Sequence, residues 1–288
     1  LGDYVGVNPA RLYDSRTADR LLPLGAGTSA DVRVLGVGGV PASGVTAVAL
    51  NVTAVGASGP SAFSVWPAGG TAPDIANVTV PTGIAMGSLV VVKPGANGRV
   101  SITNDLGAAH CVVDVVGYFR TTAANRLQSI TSFRAMDTRN GTGGRTGALG
   151  PATSFDLMVR GVGGVPANAD SVVLNVTAVQ PTAGGYLTVW PSGQTRPTTS
   201  SLNFPAGATV PNMVIAKIGA NGKVGVYNAN GSTHVVVDIA GYLSPTAPGR
   251  YMPLAPTTVL DTRNDAAVGP AGSVTVTVAG VGGVPKTG

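Results

Sequence analysis

Two segments, HCVVDVVGYF at 110–119 and HVVVDIAGYL at 234–243, each set a histidine four residues ahead of an aspartate among valines. A carboxylate orienting an imidazole is the material of general-base chemistry. The spacing argues against it here, because four residues of extended strand span roughly 13 Å, beyond hydrogen-bond reach. No Ser or Cys sits in a strand–turn–helix context that would make it a nucleophile, and one histidine per segment is thin material for a metal site. Strand alternation places Cys111, Val113, Val115, Gly117 and Phe119 on an apolar core face. His110, Val112, Asp114, Val116 and Tyr118 fall on the second face. Asp114 and Asp238 are therefore expected on an outer sheet face, where anything packed above them strips their hydration. Arginine is the partner with matching chemistry, since its planar fork meets a carboxylate through two hydrogen bonds. An Asp-x-Arg triplet occurs three times, ending in Arg16, Arg139 and Arg263. These arginines are expected to reach Asp114 or Asp238 and to pin their own segments across the valine-lined face as structural ion pairs.

The elements that must hold these residues repeat. LNVTAV, VWP, GANG and Gly-Tyr each occur twice, at Leu50 and Leu174, Val65 and Val189, Gly95 and Gly219, and Gly117 and Gly241, always 124 residues apart. Such a period is the size of a whole domain. GVGGVP occurs three times, at 36–41, 161–166 and 280–285. Its glycines do not open a helix, so they read as turn residues rather than a phosphate loop. Each period divides into a lead-in of about 45 residues, carrying Asp-x-Arg and a strand, and a body of about 75 residues ending at Gly-Tyr. The expected organisation is a β-sandwich repeat over 1–121, a second over 122–246, and the lead-in of a third over 247–288. That last piece would pack on the second repeat or be donated as a strand to a neighbouring molecule.

VALNVTAV alternates, with Val48, Leu50, Val52 and Ala54 on one face and Asn51 and Thr53 on the other. The body reads as a meander, with hairpins turning at Asn97-Gly98 and Asn221-Gly222. DVRV at 31–34, FDLMV at 155–159 and SVTVTV at 273–278 are the lead-in strands. Composition agrees: 42 glycines, 21 prolines and 44% hydrophobic residues mark a turn-rich folded chain. Its acidic residues are all Asp, and that absence of Glu disfavours surface helices. The expected fold class is all-β, a tandem β-sandwich of Ig-like or jelly-roll type with repeats of about 124 residues.

DTR, GVGGVP, LNVTA, GANGKV and VVVDIAGY together resemble an uncharacterised tandem repeat of secreted, multidomain cell-surface proteins of actinobacteria. The resemblance covers essentially the whole chain and implies an extracellular location. The first copy departs from it at Asp14-Ser15-Arg16 and at PDIANVTV.

Function is narrowed mainly by exclusion. Net charge is +5, but the arginines are scattered, unlike the basic stripe with stacking aromatics of a nucleic-acid binder. No apolar stretch reaches membrane-spanning length, and the single Cys111 cannot form an internal disulfide. The chain begins at Leu1, which suggests a processed form or a fragment. No paired carboxylates, phosphate loop or metal constellation can be assembled, so no enzyme and no cofactor are expected. DTRNGTGG at 137–144 and DTRND at 261–265 are oxygen-rich enough for weak Ca²⁺, but an Asx-type turn fits them better. The expectation is a non-enzymatic structural or adhesive module of the cell surface, a stalk or fibre subunit whose partners are copies of itself or neighbouring repeats. The alternative is a carbohydrate-binding, lectin-like module, with Trp66, Trp190, Tyr118, Tyr186 and Tyr242 stacking on surface glycans.

Overall fold

The computed structural model describes residues 2–17, 22–121, 125–252, 254, 258–264 and 266–286. The protein is all-β. In the first repeat the strands are β1 (Asp3–Asp14), β2 (Leu24–Gly25), β3 (Thr28–Arg33), β4 (Val45–Val55), β5 (Ser61–Pro67), β6 (Val78–Val80), β7 (Met86–Val92), β8 (Arg99–Asn104) and β9 (Ala108–Arg120). In the second they are β10 (Arg126–Asp137), β11 (Thr153–Met158), β12 (Ser171–Val179), β13 (Gly185–Pro191), β14 (Leu202–Phe204), β15 (Val210–Lys217), β16 (Lys223–Asn228) and β17 (His234–Ser244).

Each repeat is a sandwich of two antiparallel layers. The first has layers β1-β9-β4-β7 and β3-β8-β5-β6, with β2 also on β9. The second reproduces the order as β10-β17-β12-β15 and β11-β16-β13-β14. The period-2 face read from the sequence is the one that fills the gap between layers: Val48, Leu50, Val52, Val113, Val115, Val100 and Ile102 pack in one core, and Leu174, Val176, Val235, Val237, Val224 and Val226 in the other. Burying side chains of this size contributes about 1.5–3 kcal/mol each. The lead-ins do not lie across the outer face as expected: each supplies an edge strand to both layers of its own repeat, β1 and β3 in the first and β10 and β11 in the second.

The expected hairpins at Asn97-Gly98 and Asn221-Gly222 are not formed. β7 and β8 lie in opposite layers, as do β15 and β16, so each connection is an arch across the sandwich. The meander is replaced by a zigzag between layers, which lets both strands of an arch bury alternate valines into the same gap. Asn97 and Gly98 do take the positive φ expected of them, 55° and 66°. The arch is tightened by Gly95, where a Cβ would lie 2.2 Å from the backbone N and O of Ala68, and by Gly219, where it would lie 2.0 Å from Ser192 O. GVGGVP is a turn, as expected, with Gly36, Gly38 and Gly39 all at positive φ.

One irregularity corrects the face assignment on β9. Leu50 pairs with Val115 but Ala49 pairs with Gly117, so Val116 is an extra residue in the ladder. On β17 Ala240 is extra in the same way, since Leu174 pairs with Ile239 and Val173 with Gly241, and beyond each bulge the alternation inverts. Tyr118 turns into the first core and Tyr242 packs against the second, while Phe119 and Leu243 turn outward.

The third lead-in behaves differently along its length. Ala247 is buried, Gly249 bridges to Leu127, and Tyr251 bridges to Gly2. Residues 273–278 form no strand, and Val274, Val276 and Val278 are exposed. Their counterparts β3 and β11 pair with β8 and β16 of their own bodies; a matching strand for 273–278 is not found among the described residues.

Candidate functional site

The two outer aspartates lie where the sequence places them, and each is held by an arginine of its own lead-in strand. The arginine is not the expected one. Arg11 and Asp114 are cross-strand neighbours between β1 and β9, and the Arg11 Nε donates to Asp114 Oδ1. Its Nη1 donates to Asp14 Oδ2 at 2.8 Å, so one guanidinium bridges two carboxylates. Arg134 repeats this in the second sandwich, donating from Nε to Asp238 and from Nη1 to Asp137 at 3.0 Å. Arg16, Arg139 and Arg263 instead fold back on the aspartate two residues earlier. Arg16 donates to Asp14 at 2.8 and 2.7 Å, Arg139 to Asp137 at 2.9 and 2.6 Å, and Arg263 to Asp261 at 2.9 and 2.5 Å. Arg16 and Arg139 lie past the ends of β1 and β10, where no ladder position brings them to the sheet face. The working motif is Arg-x-x-Asp-x-Arg, present as Arg11–Arg16 and Arg134–Arg139; in the third lead-in Thr258 stands at its first position. The repetition of Arg at that position in two copies was the signal that could have identified it.

The triplets close as Asx turns, with the Arg16 and Arg139 amides each donating to the aspartate carboxylate at 3.0 Å. Both oxygens of Asp137 thus accept from arginine. Among the described residues no group of His, Cys and Asp with metal-holding geometry occurs, and Asp265 of DTRND lies outside them. The middle residue of the triplet fastens the turn to the sheet. Ser15 Oγ accepts from the Cys111 amide at 2.9 Å and lies 3.0 Å from His110 Nδ1. Thr138 does the same with Val235 and His234, both at 3.0 Å. Each histidine is therefore paired with a buried hydroxyl that is itself tied to backbone, and not with the aspartate on its own strand.

The two sites differ in what lies above them. In the first repeat the outer face is roofed by the β13–β14 loop of the second: Asn51 Nδ2 donates to Ser200 O at 2.7 Å and Arg11 Nη2 donates to Thr198 O at 3.4 Å, with the Ser200 amide near Asp114. Asp114 is fully buried. Burial lifts its carboxyl to about 6, against the opposing pull of Arg11 and the Ser200 amide. Asp14, gripped by Arg16, is lowered to about 2. Beside this roof Tyr4, Ala47, Ala49, Val116 and Phe119 of the first repeat bury against Leu243, with Val173, Ile215 and Tyr251 packed around them. In the second repeat the equivalent face is open: Asn175 is exposed and the Asp238 side chain is 22% exposed.

The aromatic residues do not form one exposed platform. Trp190 is buried flat against Gly225, and Tyr118 and Tyr242 face the cores because of the bulge. Trp66 is half-buried and lines a cleft of about 320 Å³ with Val91, Lys93 and Leu254. Tyr186 lines a smaller cleft of about 180 Å³ at the junction of the repeats, together with Arg11, Arg16, Thr198 and Asn203.

No protein-family model and no curated protein matches the chain. Among solved structures it is similar to the tandem CBM22-1–CBM22-2 domain of Paenibacillus barcinonensis Xyn10C, at 10% identity and a TM-score of 0.23 over 83% of this chain and 98% of that one. YhaK from Escherichia coli follows at 8% identity and 0.21, over 83% and 94% of the two chains. YhhW from Escherichia coli stands at 9% and 0.19, over 85% and 92%. Scores this low carry no argument about fold or function.

Proposed function

We propose that the chain is a non-enzymatic structural or adhesive repeat module, a subunit of an extracellular stalk or fibre. The observation that carries this reading is how the repeated polar residues are used. Arg11, Asp14, Arg16, Asp114, Ser15 and His110 all bond to one another or to backbone, and the same set closes in the second repeat. Residues repeated in this way work as fasteners between a lead-in and its sheet. The direct packing of the first outer face on the second repeat supports the same reading, because it joins successive sandwiches over a surface as well as through a linker. Secretion is part of the proposal and rests on the resemblance of the motifs to actinobacterial surface repeats. Sedimentation and negative-stain imaging of the concentrated chain test it: ordered multi-chain assemblies are the expected result, and a monomer at every concentration overturns it.

A second reading, glycan binding, is favoured by the junction cleft, where the Tyr186 ring stands beside Arg16 and Asn203. An aromatic face next to fixed polar groups is the chemistry that holds a sugar ring. Calorimetric titration with cell-wall polysaccharides distinguishes the two, since binding that Tyr186→Ala abolishes would establish the glycan site.

A further inference from the structure

The roof over Asp114 shows what this type of face recognises. The hydrogen bonds from Asn51 and Arg11 to the 198–200 loop go to its main chain, at the Ser200 and Thr198 carbonyls, with the Ser200 amide near Asp114; beside the loop, Asn51 Oδ1 also accepts from Asn212 Nδ2 at 3.3 Å. The second repeat carries the same trio in the same register, with Arg134 opposite Asp238 on one side and Asn175 opposite Asp238 on the other. The corresponding pairs in the first repeat are Arg11–Asp114 and Asn51–Asp114. We propose that the open Arg134–Asp238–Asn175 face receives the Pro73–Asn77 loop of a second copy of this chain.

That loop is the first repeat's counterpart of the roof and is built in the same way. The Ser64 hydroxyl donates to Ile75 O, and Asn77 Oδ1 accepts from the Val65 amide at 2.8 Å. In the roof, Thr188 Oγ1 donates to Thr199 O at 2.6 Å, and Ser201 Oγ accepts from the Val189 amide at 2.9 Å. The main-chain groups of residues 74–76 are thus presented as those of 198–200 are, and Asp74 and Ala76 are exposed. Asp74 stands where the roof has Thr198, so docking brings its carboxylate toward Arg134 and Arg139 and adds charge complementarity that the internal contact lacks. The contact joins a loop of one copy to a face of another, so it is heterologous and adds copy to copy, as an open chain where the rotation does not close a ring. It rests on the structural reading above and names the partner and the contact.

The test uses two variants of the full chain, Ala76→Cys and Thr177→Cys, which leave Arg134, Asp238 and Asn175 in place. They are mixed and treated with a short bis-maleimide; Cys111 is buried and unreactive. The expected product is a mixed dimer linked between positions 76 and 177. It should be lost when the exposed Asn175→Ala is added to the Thr177→Cys chain, and weakened at least several-fold by 0.5 M salt. Assemblies that form without this cross-link, or that survive Asn175→Ala, overturn the contact and leave the structural reading standing. A wild-type chain that stays monomeric at every concentration overturns both.

Discussion

Arg11 holds two carboxylates with one guanidinium, and what it does for each depends on burial. Asp114 has no exposed surface, so Arg11→Ala would leave a buried charge without its cross-strand partner, a loss of about 3–5 kcal/mol. Asp238 is 22% exposed, and Arg134→Ala should cost about 1 kcal/mol or less. Urea unfolding of the two variants compares them directly, and equal losses would contradict the roofed-versus-open difference. The carboxylates of the first clamp also oppose each other in pH. Asp114 is raised from 3.8 to about 6, so its folded form binds a proton more readily than the unfolded chain. Its contribution is therefore best below pH 4 and falls as pH rises to 6, by about 3 kcal/mol. Asp14 is lowered to about 2, so its contribution is present above pH 4 and is lost as pH falls toward 2. Thermal melts at pH 4, 5, 6 and 7 should show Asp114→Asn gaining on the wild type as pH rises. A difference independent of pH would contradict the burial of that carboxyl. The partnership of outer aspartate with lead-in arginine was legible from chemistry alone, because a carboxylate among valines needs a cation. Which arginine was not, because it depends on ladder register, and register is set by contacts distant in sequence.

At the scale of strands and turns, the inner faces of β4, β9, β12 and β17 were legible because period-2 alternation is a local property. The bulge at Val116 was not, since it arises from how β9 is matched to β4, with 64 positions between Leu50 and its partner Val115. Layer assignment was hidden for a related reason. An Asn-Gly turn fits a hairpin, but the chain uses it in an arch, and what distinguishes them is the approach of Gly95 to Ala68. Gly95→Ala and Gly219→Ala each put a Cβ into backbone, so each should destabilise its own sandwich by more than 2 kcal/mol or prevent it from folding. Calorimetry of the two variants checks this. SVTVTV at 273–278 has the strand pattern but no ladder, since a strand needs a partner as well as a propensity. Amide exchange there should be complete within seconds to minutes, while β12 and β17 stay protected for hours.

Over the whole molecule the two sandwiches share one order of strands yet use their outer faces differently. The first is closed by its neighbour through an apolar patch around Phe119 and a polar roof at Ser200. Phe119→Asp should therefore loosen the pair without emptying either core. Calorimetry should show one melting transition for the wild type resolving into two. A single, merely lowered transition would mean that the patch belongs to the first core.

The ladder of the lead-in strand also fixes how each sandwich meets force. Asp3 pairs with Arg120, and Arg126 with Ser244, so the chain enters and leaves a repeat at the same corner. Tension along the polypeptide loads the β1–β9 rungs one at a time, as a zipper is opened, and the arginine bridge lies well along the track as a catch. Single-molecule stretching should thus record a low initial yield followed by a firmer stop, and Arg11→Ala should erase the stop alone. A tether made of such units would give up its lead-in strands under sudden load before the strands of the bodies part.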